Sequence, residues 1–263
     1  MKRALGLLAI LLLAGCAAPA APNPYPSSMA ALGDSISLGV NVARDKLGEN
    51  PGNSWSVGDD ATDGVTSHYE RLVALNPALA GHAYDFARSG ARMRDFARQA
   101  QEAADAKAEY ATVMFGANDV CGAGNATSVD AFRAQFDAGA QILKDAGAKV
   151  LVVSVPNVTG LYERYHSVRA VHDAWQALRV CQNVLGDRVT PEARNATAAR
   201  IDAYNAVLRD EAARFGFSWD RGAVHEGEIV EADVGPVDFF HPSLHGQASL
   251  AEATWRAGPF GSQ

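Results

Sequence analysis

The chain predicts an α/β fold: a mainly parallel sheet of about five strands, covered by helices on both faces as a three-layer α/β/α sandwich. Two observations carry this expectation. Short apolar strand signals alternate with longer stretches of helical periodicity, which is the pattern of βαβ units. Val150-Leu151-Val152-Val153 is an unbroken apolar run, as suits a strand hidden from water on both sides.

Taken in order, strands are expected at Met29–Leu32, Ala83–Ala87, Ala111–Phe115 and Lys149–Val155, with a fifth near Ala223–His225. A short helix is expected over Tyr69–Leu75, because the residue before Pro77 is kept out of the helical region. Longer helices are expected over Met93–Glu109, Ala131–Asp145 and Ala198–Phe215. In the second, Phe132, Phe136, Ala140 and Leu143 recur at helical spacing, and Gly147 is the stop. In the third, Ile201, Tyr204, Leu208, Ala212 and Phe215 form the stripe, and Gly216 ends it. These stripes are core. Asn41–Thr66 lacks clear periodicity, and Gly160–Asn195 is partly helical. Long insertions of this kind often shape the mouth of a site.

Residues 1–15 read as a leader rather than as part of the fold. Lys2 and Arg3 form a positive start, and Ala4–Ala14 is a small-and-apolar run too short to span a bilayer. Leu13-Ala14-Gly15-Cys16 resembles a bacterial lipobox, in which Cys16 is lipidated and becomes the new N-terminus. An ordinary cleaved signal peptide is the alternative. Residues 16–26 are then the lipid-anchored cysteine and an extended Pro/Ala tether, and residues 27–263 form one folded domain. Ala17 after Cys16 points to the outer membrane or cell surface, as the lipoprotein sorting pattern implies.

The formal charge of −7 becomes −9 once Lys2 and Arg3 leave with the leader. That argues against nucleic acid as a partner, and against a grip on anionic lipid by charge alone. Membrane contact is expected through the lipid on Cys16, and the folded part is expected to be a monomer. Export puts Cys121 and Cys181 in an oxidising compartment, where two remaining cysteines tend to pair. A bridge over their 60-residue separation is worth roughly 4 kcal/mol on the chain-entropy model. Two buried free thiols are the alternative. The cysteines lack CxxC spacing and the histidines are scattered, so no metal and no organic cofactor is expected.

The chemistry is carried by short strings. Gly33-Asp34-Ser35 follows the apolar run Met29–Leu32, a place where a tight turn can present a nucleophile. Asp238 stands three residues before His241, close enough on a turn to hold its ring. Together these supply nucleophile, base and orienter for acyl transfer. Between them lie Phe86-Ala87-Arg88-Ser89-Gly90-Ala91 and Val113-Met114-Phe115-Gly116-Ala117-Asn118-Asp119.

With these four blocks in order, the chain resembles the SGNH hydrolases, also called the GDSL family of esterases and lipases. The matching residues are Ser35, Gly90, Asn118 and His241, with Asp238 completing the Asp-x-x-His. The resemblance implies a flavodoxin-like sheet and an acyl-enzyme on Ser35, with His241 as base and Asp238 orienting it. It also implies an oxyanion hole made of Ser35 N–H, Gly90 N–H and the Asn118 side chain. Ile36 replaces the leucine of the GDSL string, and Asp85 stands where the second block often has asparagine.

A narrower resemblance, to the phospholipase B-like branch, rests on several strings. They are Ser54-Trp55-Ser56-Val57-Gly58, Asn76-Pro77, Arg88-Ser89-Gly90-Ala91, Arg98-Gln99-Ala100 and Asn118-Asp119-Val120-Cys121. It implies a lipid or lysophospholipid ester as substrate. The same triad also serves O-deacetylation of cell-envelope polysaccharide, and a catalytically inactive surface binding protein is a third reading. Trp55, Leu161, Tyr162 and Trp175 either line an acyl-binding wall or pack the insertions onto the body. Asp34 and Asp119 are expected to hold turns. His225 and His245 are rival bases, and His68, His82, His166 and His172 are expected at the surface or on helices.

Overall fold

The computed structural model describes residues 23–121 and 126–261. The leader, Cys16 and the first residues of the tether lie outside the described residues. Five strands form one parallel sheet: β1 (Met29–Gly33), β2 (Ala83–Asp85), β3 (Tyr110–Met114), β4 (Lys149–Val152) and β5 (Ser218–Trp219). Their order is β2-β1-β3-β4-β5. The order reverses beside β1, so a crevice opens at the carboxyl ends of β1 and β3, the usual place for a site in such sheets.

Among the described residues the helices are α1 (His68–Leu75), α2 (Phe96–Asp105), α3 (Ala117–Cys121), α4 (Val129–Asp145) and α5 (Val158–Tyr165). They continue with α6 (Arg169–Ala177), α7 (Gln182–Leu185), α8 (Pro191–Phe215), α9 (Ala223–Glu226) and α10 (Leu244–Ala257). Alternation along the strands separates two cores. Ala30 and Leu32 of β1 face Phe96, Phe136, Tyr204 and Phe215 under α2, α4 and α8. Met29 and Ala31 face the other way, onto Leu72 of α1 and Ala251 of α10. Both faces are therefore dry, as the apolar run of β4 requires.

The helices carry the expected signals. Ser67 and Glu70 form a capping box at α1, and Ser128 caps α4. Helix α8 begins at Pro191 rather than near Ala198, because Thr190 caps it and proline suits the first turn. The fifth strand is a correction. It lies at Ser218–Trp219, and Ala223–Glu226 is one helical turn. The Asp220 carboxylate accepts the N–H groups of Gly222 and Val224 and so turns the chain there. A strand of two residues has no alternation to read. The bridge Cys121–Cys181 is formed, with its Cα atoms 4.4 Å apart, and it ties α3 to the segment before α7. No helix of the described residues is long and apolar enough to cross a membrane.

Candidate active site

The end of β1 is held from both sides. Gly33 N–H donates to Gln99 Oε1 at 2.8 Å, and Gln99 Nε2 donates to Gly33 O at 3.0 Å. A Cβ at Gly33 would lie 2.7 Å from Met114 O, so only glycine lets β1 and β3 close there. Arg88 N–H also donates to Gly33 O, at 3.1 Å, which draws the Gly90 segment to the same point. Gly90 itself has φ 77°, a left-handed conformation that glycine adopts at no steric cost. Among the described residues, neither Ser35 N–H nor Gly90 N–H meets an acceptor.

Ser35 follows in a tight turn. Asp34 holds it, Oδ1 accepting Ile36 N–H at 2.9 Å, while Oδ2 accepts Asn118 Nδ2–H at 3.1 Å. Burial pushes the Asp34 carboxyl up to about 6, against the pull of the Ile36 and Asn118 bonds. Asp119 does more than hold its own turn. Its Oδ2 accepts Met93 N–H at 2.9 Å and its Oδ1 the Thr127 hydroxyl at 2.6 Å, locking α3 to the segment after Gly90.

His241 Nε2 lies 2.8 Å from Ser35 Oγ, and His241 Nδ1 lies 2.7 Å from Asp238 Oδ2. An ionised Asp238 places the ring proton on Nδ1, which leaves Nε2 to accept the Ser35 hydroxyl. Burial would raise the Asp238 carboxyl. Its bonds to His241, that ring's charge and the Asn41 amide outweigh burial and hold it at about 2. The rivals sit elsewhere. His245 pairs with Asp233 at 2.8 Å, and His225 with Asp202 at 3.2 Å. His68 is on a helix but buried, between Tyr110 Oη and Thr254 Oγ1.

A cavity of about 280 Å³ is lined by chain neighbours of Ser35 and His241 but by neither residue itself. Ile36, next to Ser35, is in its wall, as are Phe240 and Pro242 on either side of His241. Met114, Leu161 and Ile229 complete a mostly apolar lining. Of the four residues considered for an acyl-binding wall, only Leu161 is there. Trp55 and Trp175 are fully buried in the two cores, and Tyr162 packs under the Arg194 guanidinium. Trp175 instead supports the His241 loop from within the core, where its Nε1–H donates to Phe239 O at 3.0 Å.

Asp85 accepts Ala87 N–H through Oδ1, while Oδ2 is buried with no partner among the described residues. Burial pushes its carboxyl up to about 7. Among the described residues no group of His, Cys, Asp and Glu is arranged to hold a metal ion.

The GDSL-like lipase/acylhydrolase profile matches residues 31–248, which spans Ser35, Gly90, Asn118, Asp238 and His241. The chain belongs to this family. Membership makes this GDSL-like protein a carboxylic ester hydrolase. Its fold is similar to that of an α/β hydrolase from the metagenome of Lake Arreo, Spain, at 18% identity and a TM-score of 0.56, covering 90% of this chain and 96% of that one. It is similar to TesA at 18% identity and a TM-score of 0.51, covering 88% and 97%. It is also similar to Axe2, an acetylxylan esterase from Geobacillus stearothermophilus, at 19% identity and a TM-score of 0.56, covering 88% and 93%. At such identities the likeness is one of fold. No curated protein matches the chain by sequence.

Sequence reasoning missed the GDSL-like protein's Asn41, whose Nδ2 lies 2.7 Å from Asp238 Oδ2. Nothing in the local pattern of an irregular loop signals a contact 197 residues away.

Proposed function

We propose that this enzyme hydrolyses esters of medium-length apolar acyl groups, of lipid or lysophospholipid type, through an acyl-enzyme on Ser35. The observation that carries this is the apolar cavity walled by the neighbours of Ser35 and His241. A methylene takes up about as much room as the ~30 Å³ share of a liquid water, so the cavity has room for roughly nine. An acetyl group would leave it mostly empty.

In the proposed reaction Ser35 Oγ attacks the ester carbonyl carbon and its proton passes to His241 Nε2. Asp238 keeps Nδ1 protonated and stabilises the imidazolium. Charge on the carbonyl oxygen is met by Ser35 N–H, Gly90 N–H and the free hydrogen of Asn118 Nδ2. As the C–O bond breaks, His241 returns its proton to the leaving alcohol. Water then attacks the acyl-enzyme, losing a proton to His241, and the acid leaves as Ser35 regains its hydrogen.

The second reading is O-deacetylation of cell-envelope polysaccharide. Acetylxylan esterase is the activity named for one structural neighbour, and that likeness extends only to the fold. The proposal also includes export, lipidation at Cys16, attachment to the outer membrane or cell surface, and a monomeric folded domain. The leader pattern and the formed disulfide support export.

The test is hydrolysis of p-nitrophenyl esters from acetate to palmitate by the full-length protein in mild detergent, beside Ser35→Ala. The expected result is a maximum in kcat/KM near the octanoate and decanoate esters and no turnover by Ser35→Ala. A maximum at acetate would replace this reading with the deacetylase.

A further inference from the structure

Asn41 stands six residues beyond Ser35, where the chain leaves the nucleophile's turn for the irregular segment that runs to Thr66. Its φ is 55°, in the left-handed region that asparagine tolerates better than most residues with a side chain. The loop closes on itself there. Asn41 N–H donates to Gly48 O at 2.9 Å, and Asn41 Oδ1 accepts Gly48 N–H at 2.9 Å. With its oxygen so engaged, the amide turns Nδ2 outward, onto Asp238 Oδ2 at 2.7 Å. This is the same oxygen that accepts the hydrogen bond from the His241 ring Nδ1–H.

The carboxylate of Asp238 has three other donors among the described residues. Phe240 N–H and His241 N–H meet Oδ1, each at 3.0 Å, and the His241 ring meets Oδ2. All three belong to Asp238's own loop, so they would move with it. Asn41 is the donor from another part of the chain. Just before it, Val40 N–H donates to Ser35 O at 3.1 Å. One short segment is thus fastened to the nucleophile at one end and to the acid at the other.

We infer that Asn41 is a positioning residue that holds Asp238 Oδ2 and so keeps the Asp238–His241 pair in register with Ser35. This rests on the catalytic roles proposed above for those three residues. The fold does not hang on this contact. Leu244 N–H donates to Val42 O at 3.1 Å and Gln247 Nε2 donates to Ile36 O at 3.0 Å, joining the same two segments independently.

The experiment compares the full-length protein with Asn41→Gly, Asn41→Asp and Ser35→Ala on p-nitrophenyl octanoate, from about pH 5 to 9. Glycine accepts the left-handed backbone, so Asn41→Gly removes the side chain without new strain. Its kcat is expected to fall about 10- to 100-fold, the effect of losing one hydrogen bond to a charged group. KM and the thermal midpoint are expected to stay near those of the parent. In Asn41→Asp two carboxyls would touch and share one proton, and the second ionisation would drive them apart. That variant is expected to lose activity on the alkaline side, where the parent and Asn41→Gly do not.

An Asn41→Gly protein with parental kcat overturns the inference. Should that variant fail to fold, an Asn41→Asp profile identical in shape to the parent's overturns it instead. A parent inert on every ester overturns the catalytic reading and the inference with it. An active parent, a dead Ser35→Ala and an unimpaired Asn41→Gly overturn the inference alone.

Discussion

Asp34→Asn is expected to give a more stable and much slower enzyme. The change is isosteric, and its effects follow from two contacts and one titration. Asp34 Oδ2 accepts from Asn118 Nδ2 and Oδ1 accepts from Ile36 N–H. An asparagine offers one acceptor and one donor in their place. If its oxygen keeps the Ile36 bond, its NH₂ faces Asn118, which must then turn its own oxygen inward. The proposed oxyanion site would lose a donor and gain an acceptor. Losing one such donor typically costs about 10²–10³ in kcat.

Stability moves the other way. Burial raises the folded Asp34 carboxyl from 3.8 to about 6. A raised acid contributes stability that is fully present below its unfolded value and lost as pH rises through its folded value. Above about pH 6 the ionised group therefore costs on the order of 3 kcal/mol, which the neutral amide does not. The assay is paired: kcat on p-nitrophenyl octanoate at pH 7.5, and urea midpoints at pH 7.5 and 4. The variant's stability gain should shrink at the lower pH. A variant with parental kcat, or one less stable at pH 7.5 than the parent, would refute the account of Asp34 and Asn118.

Two further predictions concern the body of the fold and the cavity. Burial, and secondarily the charge of Arg71, hold His68 down at about 3. Because that value is depressed, the stability tied to neutral His68 is complete above pH 6.5. It is lost as pH falls towards 3, by on the order of 5 kcal/mol in all. Urea midpoints of the parent should therefore drop more steeply between pH 7 and 4.5 than those of His68→Gln, and equal slopes would contradict this. Ala253 lines the cavity, and in Ala253→Phe the added ring would fill about a third of it, the room of three or four methylenes at ~30 Å³ each. The optimum acyl chain should shorten by about that number while turnover of the acetate ester is kept. An unchanged chain-length profile would show that acyl chains bind elsewhere.

Much of the fold was legible because its signals are local. A strand buried on both faces must be apolar throughout, so β4 announced itself, and α4 and α8 showed stripes that end at glycines with positive φ. The four blocks were legible for the same reason: Ser35, Gly90 and Asn118 each follow a strand within a few residues, and Asp238 and His241 share one turn. The tertiary structure alone decided what depends on distant partners. The two-residue β5 exists only because β4 offers it a ladder. Trp55 and Trp175 lie in the cores rather than beside the cavity, since the residues next to an aromatic ring in sequence do not say which distant neighbour it will meet. Burial between elements far apart in the chain, with Tyr110 and Thr254 at its ring nitrogens, pushes His68 towards its neutral form. Asn41 reaches Asp238, and Asp34 turns the amide of Asn118, across loops whose paths no periodicity encodes. The residue types of the site were written in short strings of sequence, but their orientation was set by contacts between segments far apart along the chain.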